Sequence, residues 1–588
     1  MIRTLRTARK ISPLIRSIVF GVAAITAVGA ATAVVAGCED ENQPEYYTKR
    51  LNDPAVRPAA VKRLVQFFED AMTRADKNRD DPKVKELLDK IVPPLTKAYM
   101  ESSGDDRTKA EILKLLSDTR DVRAKDAWIK ALKDYQPNVN EPEAKAAIQA
   151  IADTHITDPA AMDAIIGMFV KLEASSPKGQ LVYVDIKNAM TSIASPSWKP
   201  QLLERLNRPM QMISQADKGT NEDKIRAYQN EQFWQTTSAE LLGLIKATDA
   251  VKPLFKVVLD PNKADIAATA IMALVRIGKP SMNVLVDSLL GKDTEINEYA
   301  KTVIKDKKDV DVTVVRTAAL VIGTIGRADG VQPLLTALSK ADPKDTITRA
   351  ILARELAKCP ATPESLKAFI DVMQSTPPSA VIPPGDPAVA TLIESLTSFY
   401  DPSVIDVLIK LGNDVKGEAD DKQVVRDAAL GTIIKLMRKD QVPTVDKLLG
   451  DWAPKENDSK LEKDAFKKAK GLLDACGDKI ECYLAKIEEA AVQEKDQQFV
   501  GIKAAYMLGI LGNDATRMEI TKRLPNIKNA AIKFAAVQAI DHLAPGGDKA
   551  VADQMQKIID TDLAKGDQML ILGDAPVKQV MYRLLARQ

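Results

Sequence analysis

The sequence predicts an all-α fold in which helical pairs repeat along most of the chain behind an amino-terminal export segment. Composition gives the first reason. The chain has 588 residues and is 45% hydrophobic, enough to bury a large core. Aromatic residues make up only 4%, and alanine, leucine, lysine, aspartate and isoleucine dominate, which favours helices packed through small and aliphatic side chains. The second reason is a recurring pattern of apolar helix, polar turn and alanine-rich helix, and the third is the layout of the first 38 residues.

That amino-terminal element carries five basic side chains (Arg3, Arg6, Arg9, Lys10 and Arg16) and no acids. An uncharged run from Ser17 to Gly37 follows, ending in Val35-Ala36-Gly37-Cys38 and then Glu39, Asp40 and Glu41. Positive residues that stay inside, an apolar stretch that inserts and small residues before a cleavage point are the parts of a secretory signal. The tetrapeptide resembles the lipobox of bacterial lipoproteins, and the resemblance implies cleavage before Cys38 and acylation of its thiol. An uncleaved membrane anchor is the competing reading, since the run is just long enough to span a bilayer. Both readings put residues 1–37 aside as a targeting segment and the body outside the cytoplasm, facing periplasm or exterior. Residues 38–50 then read as an acidic tether. Without the signal, 78 basic residues face 81 acidic ones, so the net charge of +2 becomes about −3. No basic stripe suited to a nucleic-acid backbone stands out.

Fixed-period self-similarity is clearest in the centre of the chain. The stretch "VKPLFKVVLDPNKADIAATAIMALVRIG" from Val251 parallels "VQPLLTALSKADPKDTITRAILARELAKC" from Val331, with related openings near Met282, Leu366 and Val404. The last two offsets, 35 and 38 residues, fit a two-helix repeat. The longer interval before Val331 holds the charged segment "KDKKDVDV", read as a solvated loop. The second helices share a signature: "DPAVRPAAVKRL" from Asp53, "VVRTAALVIGTIG" from Val314 and "VVRDAALGTIIKL" from Val424. These segments resemble HEAT repeats, particularly the short variety found in phycobilisome-lyase-like proteins. The resemblance implies an α-solenoid of about a dozen stacked helical hairpins, each touching its neighbours. Proline-rich interruptions at 207–223, 375–387 and 451–460 break the rhythm, and the first and third serve as soft boundaries between repeats 51–206, 224–450 and 461–588.

Candidate chemistry is sparse. The two histidines, His155 and His542, are isolated, each beside a turn, and read as capping or surface residues with no zinc-ligand spacing. Gly291-Lys292-Asp293-Thr294 lacks the glycine and strand context of a phosphate loop. Asp76, Asn78 and Asp80 open like a calcium loop, but Asp81 and Leu87 stand where a glycine and a bidentate glutamate belong, so a solvated turn is expected. No metal or cofactor is expected. Arg57, Arg316 and Arg426 are expected to bond turn aspartates of neighbouring repeats, as in HEAT-like stacks. Cys359 reads as a small buried hydrophobe. Cys476 and Cys482 would lie about 9 Å apart in an unbroken helix, but Gly477 and Asp478 allow the chain to reverse and a local disulfide to close.

Function follows as an expectation: a membrane-tethered scaffold, not an enzyme, that grips a protein or peptide on the concave side. In the family this chain resembles, second helices line that side, which implies one continuous ridge including Asp311 to Gly326 and Lys422 to Met437. A lyase-like enzyme or accessory module and a structural envelope spacer are the alternatives. The anchor is directly testable. Each buried methylene contributes about 0.8 kcal/mol, so two or three acyl chains hold a protein essentially permanently. Cys38→Ser should abolish processing and acylation, read by detergent partitioning and intact mass, and a mature protein retaining residues 1–37 would refute the reading.

Overall fold

A computed structural model describes residues 40–102, 106–210, 221–382, 385–416, 419–455, 458–492, 497–565 and 573–588. Cys38 and residues 1–37, expected to be an export segment, lie outside the described residues. The chain is an all-α solenoid of stacked helical pairs, its only strands among the described residues being a two-residue ladder, β1 (Val381–Ile382) against β2 (Asp386–Pro387). No described helix is long and apolar enough to cross a membrane.

Among the described residues, fourteen second helices form one row, numbered here in chain order. They are α1 (Arg57–Arg74), α2 (Asp106–Thr119), α3 (Glu141–Asp153), α4 (Tyr183–Ile193) and α5 (Glu222–Leu244). The row continues with α6 (Ala264–Ile277), α7 (Val310–Ile325), α8 (Thr346–Leu356), α9 (Ala388–Ser395) and α10 (Ala419–Leu436). It ends with α11 (Lys460–Cys476), α12 (Gln498–Leu511), α13 (Ala530–His542) and α14 (Ala575–Ala586). Consecutive members pack side by side, and the first helices of the pairs form the outer row. Turn aspartates accept backbone amides at helix starts: Asp345 from Thr348 at 3.0 Å before α8, and Asp293 from Ile296 at 3.1 Å before the helix Thr294–Val303. Small residues set the spacing. A Cβ added to Gly243 in α5 would lie 2.6 Å from the Ala273 Cα in α6, a contact only glycine permits.

Three expectations change. Pro44–Arg50 is a helix, not tether: Pro44 is buried, Tyr47 packs 6.0 Å from the Phe67 ring and Leu51 is core. The proline-rich interruptions at 207–223, 375–387 and 451–460 each fall between the first and second helix of one pair, so they are insertions within repeats rather than boundaries between them. Side chains bridge two of them: Arg205 lies 4.0 Å over the Trp234 ring, and Ser459 donates to Asp427 at 2.6 Å. Before α7, the insertion contains a further helix, Thr294–Val303, whose Glu295 pairs with Lys252 and Lys256 at 2.9 and 2.7 Å. Only Lys305 to Asp309 form the exposed loop, since Val310 and Val314 are already buried in α7.

The expectation that repeats touch only their neighbours also fails. The row of second helices turns back on itself, so that α12, α13 and α14 face α10, α9, α7 and α6. Lys503 of α12 is fully buried and donates to the carbonyls of Lys435 and Met437 at 2.9 and 2.6 Å, closing the end of α10. Tyr400, just after α9, stacks 4.4 Å from the His542 ring and 5.5 Å from Tyr506. Its ring edge occupies the space beside Gly509 in α12, where an added Cβ would lie 2.2 Å from Cε1. Because the stacked neighbours prevent the ring from yielding, Gly509→Ala should destabilise the fold by about 1–3 kcal/mol, read as a lowered urea midpoint.

Candidate binding surfaces on the inner row

Two surfaces of the inner row are concave, and they differ in what occupies them. The first spans α1 to α4. A groove of about 860 Å³ runs between α1 and α2, lined by Val65, Phe68, Met72, Glu111, Lys114 and Leu115 among others. A second, of about 530 Å³, shares Glu111 and Lys114 and continues over Val139, Pro142, Ala146 and Leu181 to the start of α4. Leu181 is 78% and Val139 59% exposed, with Val184 half exposed nearby. Single exposed aliphatics need no explanation, but several beside a groove on one face mark a contact surface. Long lysines and carboxylates, including Lys62, Glu69, Lys114 and Glu143, form the rim.

The second surface lies where the row turns back, and the chain fills most of it. Arg583 of α14 reaches the end of α7, donating to the carbonyls of Gly323 and Thr324 at 3.0 Å each, and to Lys358 beyond α8 at 2.6 Å. Arg587, one turn on, donates to Gly326 at 2.8 Å. Those carbonyls lie in or just past the last turns of the two helices and have no intrahelical donors. In return, Arg327 donates to the Ala586 carbonyl at the end of α14, and Arg276 of α6 to the Tyr582 hydroxyl, its guanidinium 4.2 Å from that ring. Asp541 braces both arginines, at 2.9 Å from Arg583 and 3.0 Å from Arg587. A cavity of about 510 Å³ remains there, lined by Cys359, Tyr400, Phe534, Gln538, His542 and Arg583 among others.

The expected ridge therefore changes. Asp311 to Gly326 and Lys422 to Met437 do lie in α7 and α10 and just beyond, but their carboxy-terminal ends are covered by Arg583, Arg587 and Lys503. Of the three Val-Arg arginines, only Arg316 meets a turn aspartate, Asp345, at 3.2 Å, with Thr348 at 2.8 Å. Arg57 bonds the Leu51 carbonyl and Ser102, while Arg426 bonds the Gly412 carbonyl beside the Trp452 ring, because the turns opposite them offer carbonyl, hydroxyl and indole groups instead. Cys476 and Cys482 are joined, with Cα atoms 5.4 Å apart, across the reversal at Gly477, whose φ is +56°. Cys359 is buried against the turn-back, and burial pushes its thiol up to about 12. His155 is exposed in a left-handed turn. Asp76 also sits in a left-handed turn, while Asn78 accepts the Asp80 amide at 3.0 Å and Asp81 caps the next helix through Lys83. No described cluster of histidine, cysteine or carboxylate side chains is arranged to hold a metal.

Sequence reasoning missed Arg583, Arg587, Asp541 and Lys503. A basic last turn is visible in "MYRLLARQ", but it reads equally as local helix capping.

No family model and no curated protein matches the sequence. Among solved structures, the chain is similar to the karyopherin Kap121p bound to the SUMO protease Ulp1p, at 14% identity with a TM-score of 0.40, covering 89% of this chain and 56% of that one. It is also similar to importin beta, at 10% identity and a TM-score of 0.24 over 92% of this chain and 89% of that one. A Schizosaccharomyces pombe condensin Cnd3–Cnd2 subcomplex gives 11% and 0.24, over 92% and 86%. The chain thus spans little more than half the length of Kap121p.

Electrostatics at the turn-back generate a pH prediction. Burial, helped by Arg587 and opposed by Asp541, holds His542 below its ordinary value of 6.5. Burial also works against the Asp541 charge, but Arg583 and Arg587 outweigh it and keep the carboxyl below 3.8. Both folded values are depressed, so both contributions are complete above the unfolded values and are lost as pH falls through the folded ones. The part of the turn-back's stability owed to these two groups should be constant above about pH 6.5, fall on acidification as His542 protonates, and fall again below about 3.8. Urea midpoints between pH 8 and 5 should show the first step in the native chain, and His542→Phe, which keeps the ring stacked on Tyr400, should lose it.

Proposed function

We propose that this protein is a membrane-tethered, extracytoplasmic scaffold that binds a protein or peptide in the groove along α1 to α4. The observation that carries this reading is the pair of adjoining grooves sharing Glu111 and Lys114, flanked by the exposed side chains of Val139 and Leu181. An apolar floor with a charged rim is the usual anatomy of a protein contact. Its mechanism is shape-complementary contact spread over several repeats, without turnover.

The tether rests on the lipobox resemblance at Cys38 and on a short reach. Packed structure begins at Pro44, six residues later, and an extended chain gains at most about 3.6 Å per residue. The first pair would therefore stand within roughly 20 Å of the lipid surface, with the groove at the membrane-proximal end. Cross-linking in intact cells followed by mass spectrometry identifies the neighbour: a stoichiometric protein supports the scaffold, whereas wall fragments alone would favour an envelope spacer. With that partner in hand, Val139→Asp combined with Leu181→Asp should weaken binding at least tenfold, about 1.4 kcal/mol, while circular dichroism stays unchanged because both side chains are largely exposed. Undiminished affinity would remove the groove from the interface.

A further inference from the structure

The turn-back has the composition of a contact made to be broken. Interfaces between parts of one chain are commonly polar and permit relative motion unless they are large and hydrophobic. Here the long-range bonds are guanidinium to carbonyl: Arg583 to Gly323, Thr324 and Lys358, Arg587 to Gly326, and Arg327 back to Ala586. Each partner pair is more than 220 residues apart in sequence. Packing beside them is incomplete, leaving the cavity of about 510 Å³.

Recognition at this contact has a definite chemistry. The ends of α7 and α8 present carbonyls at the negative pole of each helix, where cations are favoured. Arg583 and Arg587 are four residues apart, so they project from one side of a helix and reach successive carbonyls of a single edge. A Cβ on Gly323 would meet the buried Glu355 carboxylate at 2.5 Å, and one on Gly326 would meet the Arg583 guanidinium at 2.3 Å. Gly326 thus clears the space that the arginine occupies, and Gly323 clears that of the neighbouring Glu355. Nothing in this arrangement demands that the arginine-bearing helix belong to the same chain.

We propose that the carboxy-terminal ends of α7 and α8 form a docking site for a helix bearing Arg-x-x-x-Arg, which α14 fills as a releasable internal occupant. The protein partner expected from the scaffold reading, on which this rests, presents a helix of the same chemistry that takes the place of α14. In the closed state the chain blocks its own central inner face. Displacement of α14 extends the binding surface from the open amino-terminal groove toward the centre of the solenoid.

Cys359 is a built-in reporter, because it is free, buried at 5% exposure, and lies in the cavity beside Arg583 and Arg587. In the detergent-solubilised full chain, its alkylation is followed by peptide mass spectrometry across sub-denaturing urea. An opening of this contact alone gives labelling with a much weaker urea dependence than global unfolding. Arg583→Ala combined with Arg587→Ala should raise the labelling rate at least tenfold while helicity is retained. That variant should also bind a fluorescent synthetic peptide of residues 573–588, and not the same peptide with both arginines replaced by alanine. Two results would overturn the proposal: wild-type labelling that tracks global unfolding, or a folded double variant that fails to take up the peptide. Should the variant not fold, the wild-type urea dependence decides alone. Neither readout uses an outside partner or the α1 to α4 groove, so failure here is distinct from failure of the scaffold reading.

Discussion

Parallel second helices send all their carbonyl ends to the same edge of the solenoid, and this constraint governs how the row can turn back on itself. Those carbonyls lack intrahelical donors, and burying them unpaired costs free energy comparable to a lost hydrogen bond each. The molecule answers with long cationic side chains from the facing helices. Lys503 closes α10, Arg583 and Arg587 close α7, and Arg327 closes α14 in the opposite direction. Burying these cations is itself unfavourable, and burial pulls Lys503 well below its ordinary value. The interaction persists because carbonyl dipoles and, for the arginines, Asp541 offset the lost hydration.

The two ends of the solenoid consequently present different surfaces. Along α1 to α4 the row is open and the groove floor is apolar. From α6 onward the row faces itself, and its buried residues include charged pairs such as Lys533 and Asp574 at 3.2 Å and 2% exposure each. The three proline-rich insertions all connect first to second helices. They therefore share the edge opposite the carbonyl ends, where lengthening a connection disturbs neither the stack nor the turn-back.

Local structure was legible in the sequence, and distant contacts were not. Alanine-rich second helices such as Val314 to Gly326, the Asp-Pro turns and the reversal at Gly477 are short-range signals, since capping, glycine conformations and helical periodicity act within a few residues. The count of pairs came close for the same reason. Arg583 illustrates the limit. Its basic last turn is plain to see, yet the identity of its acceptors depends on how much each repeat rotates relative to the next, summed over seven pairs. The same accumulated rotation brings Tyr400 to Gly509 and His542. The amino-terminal groove was equally hidden, because Val139 and Leu181 sit in turns whose apolar residues resemble ordinary core positions until the neighbouring helices are placed.

The turn-back also changes how the array loses structure. A linear stack frays from both ends, because each terminal unit has a neighbour on one side only, and such arrays ordinarily carry a polar capping repeat at each end. Here the last helix is seated against α6 and α7, with Ala586 close enough to Gly278 that an added Cβ would touch it at 3.5 Å. The flank that would otherwise need a cap is covered by the middle of the same molecule. Loss of structure on that side must first break the arginine contacts that seat α14 on α6 and α7, a discrete step rather than gradual fraying, which is left to the helices nearest Pro44.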